Sequence, residues 1–110
     1  MARQEISRES WNGLLNDYSK QFTGKHARLE VVEADGKQQV ITESLPFEGI
    51  SADLKDGENS ISIILDVGEN SMMTHIVSDV TRVQVDDLNG SVSRIEVESG
   101  DGTTTVLSLH

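Results

Sequence analysis

Cysteine is absent from this chain of 110 residues, and proline, aromatic residues and positive charge are scarce. Without cysteine the chain can form neither a disulfide framework nor a thiolate metal site. No apolar run approaches the roughly 18 residues of a membrane-spanning helix, and residues 1–5 lack the apolar core of a signal peptide. We therefore expect a soluble cytoplasmic protein that does not bind membranes.

Negative charge dominates the composition. The 19 Asp and Glu residues outnumber the 9 Lys and Arg residues, which gives a formal net charge of -10. Nucleic acids and anionic membranes are bound by neutralising their phosphates with basic side chains, so we expect neither as a partner. The acidic residues either keep solvated strand faces and loops soluble or form a patch for a basic partner.

The length suits a single domain over residues 1–110, with a helix over 8–22 and a β-meander over 28–109. An apolar stripe at helical spacing predicts the helix: Trp11, Leu14, Leu15, Tyr18 and Phe22. Ser7 is the expected N-cap, Ile6 and Trp11 are placed for a hydrophobic staple, and Gly24 suits the helix end. We expect this helix to cap an open end or a face of a sheet, with a partner-binding helix as the alternative.

The clearest β-hairpin lies in residues 50–65. Apolar and polar residues alternate on both sides of segment 56–59, which is the period of a strand. If 56–59 form the loop, three apolar pairs face each other: Leu54 with Ile61, Ala52 with Ile63, and Ile50 with Leu65. We predict this register, with these side chains in a shared core.

The Asp35-Gly36 dipeptide predicts a second hairpin with a two-residue turn. That turn sets Val31 opposite Val40, and Leu29 opposite Thr42. Pro46 and Gly49 then predict a bend or bulge over 45–49, with Phe47 turned inward.

Two further hairpins are predicted near the end of the chain. A three-residue loop at 89–91 sets three pairs opposite each other: Val85 with Ile95, Val83 with Val97, and Asp86 with Arg94. For the last turn, at 100–102, a three-residue loop pairs Ile95 with Leu107, and a two-residue loop pairs Val97 with Val106. The sequence leaves both open.

These elements predict a mainly β fold. An N-terminal amphipathic helix is followed by a six-strand antiparallel meander, which curls into a small or half-open β-barrel. An open antiparallel sheet with the helix packed on one face is the competing architecture.

Motifs for catalysis and metal binding are missing from the sequence. It contains no phosphate-binding loop, dinucleotide fingerprint or nucleophile elbow. Zinc needs three or four closely spaced ligands, and no glycine of the acidic turns has the carboxylate that an EF-hand places five residues earlier. We predict no catalytic residue, no metal site and no cofactor.

His75 is the strongest candidate for a binding role. It alternates with Met73 and Val77, so it is either a core histidine at a barrel end or a polar group in a pocket. Together with Asp53 and Asp56 it forms our candidate site for a small ligand or ion at the barrel mouth, which requires the three side chains to converge on one pocket. Turn chemistry is the simpler explanation of the two aspartates.

Segment 45–57, with the sequence Leu-Pro-Phe-Glu-Gly-Ile-Ser-Ala-Asp-Leu-Lys-Asp-Gly, resembles an uncharacterised family of small bacterial proteins, a domain of unknown function. The resemblance includes Ile6, Ser7 and Trp11, the segment 74–76 and the segment 95–104, and so covers nearly the whole chain. It implies a bacterial, cytoplasmic, stand-alone domain and supplies no activity.

The predicted helix and bent meander are also similar to the Sm-like RNA-binding barrels. Gly49, Asp56 and Asn59 come near the glycine, aspartate and asparagine of their first motif, but the spacing from Asp to Asn is one residue short. The Arg-Gly of their second motif is replaced by Asp-Asp-Leu-Asn-Gly. With a net charge of -10, RNA binding is the disfavoured alternative.

We therefore predict a non-catalytic interaction or accessory protein whose partner is another protein or a second copy, bound through an edge strand. A small-ligand or ion-binding barrel is the alternative.

Overall fold

Alternating apolar and polar residues form strands over most of this chain. The computed structural model describes residues 2–88 and 91–110; within them, the side chains of Ala2, Asp56, Asp87, Leu88, Ser91 and Val92 lie outside the description. The elements are β1 (Ala2–Ile6), α1 (Trp11–Phe22), β2 (His26–Val32), β3 (Gln38–Asp53), β4 (Ser60–Gly68), β5 (Ser71–Val77), β6 (Val80–Leu88), β7 (Ser91–Ser99) and β8 (Thr104–Leu109). Short 3₁₀ turns lie at Arg8–Ser10 and Lys55–Gly57.

The sheet has eight antiparallel strands in the order β1-β6-β7-β8-β2-β3-β4-β5. It consists of a four-strand meander (β2 to β5) and a three-strand meander (β6 to β8), joined by pairing of β2 with β8, and β1, which pairs with β6. The predicted mainly β fold with one N-terminal helix is confirmed, and the sheet is not closed. The strand number is eight rather than six for two reasons. β1 precedes the helix and pairs with β6, and the stretch 72–86 forms two strands, β5 and β6, that are not neighbours in the sheet.

The core lies on the inner face of this curled sheet. Its largest fully buried side chains include Phe22, Leu15, Phe47, Leu29, Ile50, Ile61, Ile63, Leu65, Ile95 and Leu107. The predicted shared interior of helix and hairpins is confirmed, with Ala52 half-buried at its margin.

Helix α1 packs on β3 and begins at Trp11 with Ser10 as its N-cap, three residues later than the predicted start at residue 8 with Ser7 as N-cap. Ser7 is the N-cap of the 3₁₀ turn that leads into the helix. Ile6 and Trp11 are both buried, and the Trp11 indole Nε1 donates a hydrogen bond to the Ile6 carbonyl at 3.0 Å. Gly24, with φ near 90°, ends the helical segment in a conformation that favours glycine.

Strand β3 bends at the predicted place. Its register against β4 shifts between Phe47 and Gly49, and the Phe47 side chain is fully buried. The bend lets β3 pair with β2 through its first part and with β4 through its second part.

The predicted register of the central hairpin is wrong by two residues. Ile50 lies opposite Ile63 and Ala52 opposite Ile61, whereas Leu65 lies opposite Phe47. The loop is longer than four residues because the Asp53 carboxylate accepts a hydrogen bond from the Lys55 amide at 3.2 Å, which starts a turn at Leu54.

The Asp35-Gly36 turn also differs from its prediction. The Glu33 amide donates to the Lys37 carbonyl at 2.8 Å, so the loop has three residues, with Gly36 at φ 93°. This loop sets Val31 opposite Gln39, not Val40. A bulge between Leu29 and Glu30 then restores the predicted pairing of Leu29 with Thr42.

The two C-terminal hairpins follow the predicted pairs. Val85 with Ile95, Val83 with Val97 and Asp86 with Arg94 are confirmed. Of the predicted 89–91 loop, Asn89 and Gly90 lie outside the described residues, and Ser91 is the first residue of β7. The last turn takes the three-residue form, with Ile95 opposite Leu107.

Candidate functional site

Strand β5 forms one edge of the sheet. It pairs with β4 along its length, from Ile61 opposite Val77 to Gly68 opposite Ser71, and stands last in the strand order. No described strand lies on its other side. The backbone N–H and C=O groups that point away from β4 are therefore free to bind another strand.

The outer face of β5 is unusually apolar for an exposed strand. The exposed fractions of Met72 and Ile76 are 53% and 61%, and Thr74 lies exposed between them. Thr74 pairs with Ile64 of β4, a half-buried residue on the same face. The outer face beside the edge of β5 is therefore formed by Met72, Thr74 and Ile76, with Ile64 of β4 behind them.

Charge distinguishes the two edges of the sheet. Residues 71–77 contain no Asp, Glu, Lys, Arg or Pro. At the other edge, Arg3 and Glu5 project from β1 and form ion pairs with β6, Arg3 to Asp86 at 3.3 Å and Glu5 to Arg82 at 3.2 Å. Charges and prolines are the usual protection of an edge strand against further pairing. Edge β1 has this protection and edge β5 lacks it.

The inner face of β5 contributes His75 to a groove of about 320 Å³. Burial without a compensating charge lowers the pKa of His75 below its usual value near 6.5. Asp101 and several hydroxyl groups line the same groove. His75 is thus a half-buried polar group in a pocket, one of the two alternatives that its alternation predicts.

Asp53 and Asp56 are the other two predicted site residues. Asp53 is not among the described residues that line the groove, and its carboxylate accepts the Lys55 amide bond. The side chain of Asp56 lies outside the described residues. Among the side chains that the structure describes, no group of three or more His, Cys, Asp or Glu residues could hold a metal ion.

Two of the positions that resemble the Sm-like motif have structural roles here. The Asn59 side-chain oxygen accepts a hydrogen bond from the Arg8 Nε at 2.8 Å, which ties the start of the helical segment to the loop. Gly49 lies at the β3 bulge, where an added Cβ would come within 3.6 Å of the Ser19 hydroxyl.

A second groove, of about 510 Å³, lies on the outer face and is lined by Arg3, Asp86, Ser93, Arg94 and Ser108. Its positive charges are already paired: Arg3 with Asp86 at 3.3 Å and with Glu96 at 2.6 Å, and Arg94 with Glu96 at 3.6 Å. Asp86 lies opposite Arg94, but its ion pair is with Arg3. Sequence reasoning missed this network because it missed β1, which has three consecutive polar residues between Ala2 and Ile6 and therefore lacks the alternation of a half-buried strand.

No helix among the described residues is both long and apolar enough to cross a membrane.

Comparison with known proteins adds a family and a relative. The sequence profile of a family of unknown function, DUF5335, matches residues 2–110. An uncharacterised protein of Aquifex aeolicus (strain VF5) is 27% identical over 109 residues, which cover 99% of this chain and 93% of the relative. No solved structure matches the chain.

Proposed function

This chain belongs to the DUF5335 family of unknown function, and we propose that it is a non-catalytic interaction domain that associates with a second copy of itself through β5. The observation that carries this proposal is an uncharged edge strand, unpaired on one side, with Met72 and Ile76 more than half exposed. Adding a strand at such an edge pairs free backbone groups and covers apolar side chains together.

A second copy fits this edge because β5 is complementary to itself. Two identical edges related by a two-fold axis pair in antiparallel fashion. With Thr74 opposite Thr74, the remaining pairs are Met72 with Ile76 and Met73 with His75, each formed twice, and Ser71 with Val77 at the ends. The Met72 and Ile76 side chains then meet on the outer face, where cross-strand apolar pairs stabilise a sheet by roughly 0.2–1 kcal/mol each.

Electrostatics also favours β5 as the contact. Two copies with a formal net charge of -10 each repel one another, so association needs a surface without like charges at its centre. Residues 71–77 provide such a surface, because they contain no ionisable side chain except His75. The lowered pKa of His75 keeps its imidazole neutral at pH 7, so it adds no repulsion there.

The molecular mass in solution tests this proposal. Sedimentation equilibrium over micromolar to millimolar concentrations should give a mass approaching twice the 12.0 kDa of one chain. Ile76→Lys places two cations beside the pairing strands and should return the mass to that of one chain. Val40→Lys is the matched control, because Val40 is 40% exposed on β3 and lies away from β5, and it should leave the dimer intact.

Two results would overturn the proposal. One is a wild-type mass of 12.0 kDa at every concentration, and the other is an Ile76→Lys variant that dimerises as strongly as the Val40→Lys control. Circular dichroism on both variants shows whether they fold.

We also place this protein in the bacterial cytoplasm. The relative from Aquifex aeolicus supports the bacterial origin, and the cysteine-free, acidic composition is compatible with a reducing compartment. Cell fractionation with an antibody against the native protein tests the location.

A further inference from the structure

The groove that contains His75 lies where three parts of the chain meet: the end of β5, the turn from β5 into β6, and the hairpin between β7 and β8. Its polar lining comprises His75, Ser78, Ser99, Asp101, Thr103 and Thr105. The aliphatic side chains of Val31, Ile76 and Val77 line the rest. The volume, about 320 Å³, is at the lower end of the range for small-molecule sites.

Thr105 is a buried hydroxyl residue with unused hydrogen-bonding capacity. It is 2% exposed, on β8 between Val31 of β2 and Val97 of β7. Its backbone belongs to the sheet, but its side chain makes no hydrogen bond to a described residue. A buried hydroxyl without a partner costs roughly 1–3 kcal/mol, so a native structure normally supplies one. Because Thr105 lines the groove, an occupant of the groove can supply it.

The remaining polar groups specify the charge of that occupant. The Asp101 carboxylate accepts a hydrogen bond from the Thr103 amide at 2.9 Å, and this bond, together with one from the Thr103 side chain, lowers the pKa of Asp101. A carboxylate has about four lone-pair positions, so it retains capacity for another donor. His75, kept neutral at pH 7 by its burial, offers one ring nitrogen as an acceptor.

No Lys or Arg is among the described residues that line this groove. The hydrogen-bond acceptors of the groove, such as the Asp101 carboxylate, are therefore not paired with a basic side chain among the described lining residues. Anionic ligands are disfavoured by Asp101 and by the overall charge of -10, whereas a cationic donor is favoured by both.

We propose that this groove binds a primary alkylammonium group, with the ammonium among Asp101, Thr105 and His75 and the alkyl chain against the aliphatic walls. An ammonium has three donors and no acceptor, which matches a groove of acceptors. The group is either a free alkylamine or a lysine side chain of a peptide, and the experiment separates these sources. Three of the lining residues, His75, Ile76 and Val77, belong to β5, whereas Asp101 and Thr105 lie on the β7–β8 hairpin and on β8.

The test is a titration of the full chain with butylammonium at pH 7.5. Amide chemical shifts in nuclear magnetic resonance spectra are the readout. Butylammonium should give saturable shifts at His75, Asp101 and Thr105, and 1-butanol, its neutral analogue, should not. Binding of a short neutral peptide containing one lysine, tighter than binding of butylammonium, assigns the site to a lysine side chain. Equal or weaker binding of that peptide assigns it to a free amine.

Thr105→Val removes the hydroxyl while keeping the side-chain shape, and should weaken butylammonium binding about tenfold or more, as expected for a hydrogen bond to a charged group. Thr104→Val is the matched control, since Thr104 is the preceding residue of β8, does not line the groove, and should leave the affinity unchanged. Asp101→Asn, in the exposed turn, is the second variant and should also weaken binding.

The proposal is overturned if butylammonium gives no saturable shifts, or if 1-butanol binds equally well. It is also overturned if Thr105→Val and Asp101→Asn, shown to be folded, bind butylammonium as strongly as Thr104→Val. Because Ile76 also lines the groove, the titrations use chains that keep Ile76, and the masses measured for Ile76→Lys and Val40→Lys do not enter this test.

Discussion

Ser19 of α1 hydrogen-bonds to Ile50 of β3 in place of a neighbouring strand. The Ser19 hydroxyl accepts a bond from the Ile50 amide at 2.8 Å and lies 2.7 Å from the Ile50 carbonyl oxygen. Beyond the β3 bend, β2 no longer pairs with β3, because their ladder ends with His26 opposite Pro46. The helix thus satisfies backbone groups that the bend would leave unpaired.

Ser19→Ala should therefore lower the free energy of unfolding by about 1–2 kcal/mol, because it leaves the Ile50 amide without its acceptor. Urea denaturation at fixed protein concentration measures the change. Ser51→Ala, at an exposed serine of the same strand, is the control and should stay within about 0.5 kcal/mol of wild type. Equal effects of the two substitutions would contradict this role of Ser19.

Two glycines should respond in opposite directions to the same substitution. Gly102 has φ near 90°, and an added Cβ would lie 2.8 Å from the Ala34 Cβ, so Gly102→Ala should destabilise the protein by about 1 kcal/mol or more. Gly13, inside α1, has nothing within 4 Å of an added Cβ, so Gly13→Ala should stabilise it by about 1 kcal/mol. Thermal unfolding of both variants checks the signs, and a shift in the same direction would contradict the account.

His75 should make stability depend on pH. Its pKa in the folded protein is lowered by burial, so the unfolded chain binds more protons as pH falls through about 6.5. The contribution of His75 is therefore complete above that pH and is lost on acidification. The free energy of unfolding should fall more between pH 7.5 and pH 5.5 for wild type than for His75→Gln, with both measured at the same low protein concentration. Identical pH profiles would show that the burial of His75 does not penalise its charged form.

The sequence predicted the strand register correctly where only one alignment of two strands paired their apolar residues. Between β6 and β7, only one alignment places Val83 with Val97 and Val85 with Ile95, and the structure has that alignment. In the central hairpin, a shift by two residues keeps every side chain on the same face, so apolar pairing could not separate the two registers. The structure has the register with the longer loop, in which the Lys55 amide donates a hydrogen bond to the Asp53 carboxylate.

The binding surfaces were predicted less completely than the fold. Strand alternation placed His75 on the same face as Met73 and Val77, but it left open whether His75 is a core histidine or a polar group in a pocket. Thr105 could not be identified, since a threonine in a strand looks the same whether its hydroxyl is buried or solvated. The free edge of β5 required the strand order, which depends on β1 pairing with β6 and on β2 pairing with β8.

The register proposed for the dimer makes Thr74 the residue on the two-fold axis. Directly opposite residues of an antiparallel pair have Cα atoms roughly 4.5–5.5 Å apart, which suits a disulfide. In the same register the two Met72 residues are displaced by four positions along the strands, roughly 13 Å, which is too far to bridge. The chain contains no cysteine, so each substitution introduces a single thiol.

Oxidative cross-linking of Thr74→Cys, with Met72→Cys as the control on the same strand face, tests dimerisation through β5 most directly. We expect Thr74→Cys to form a disulfide-linked dimer readily on non-reducing gels and Met72→Cys to remain monomeric under the same conditions. Failure of Thr74→Cys to cross-link, or equal cross-linking of the two variants, would contradict self-association through β5.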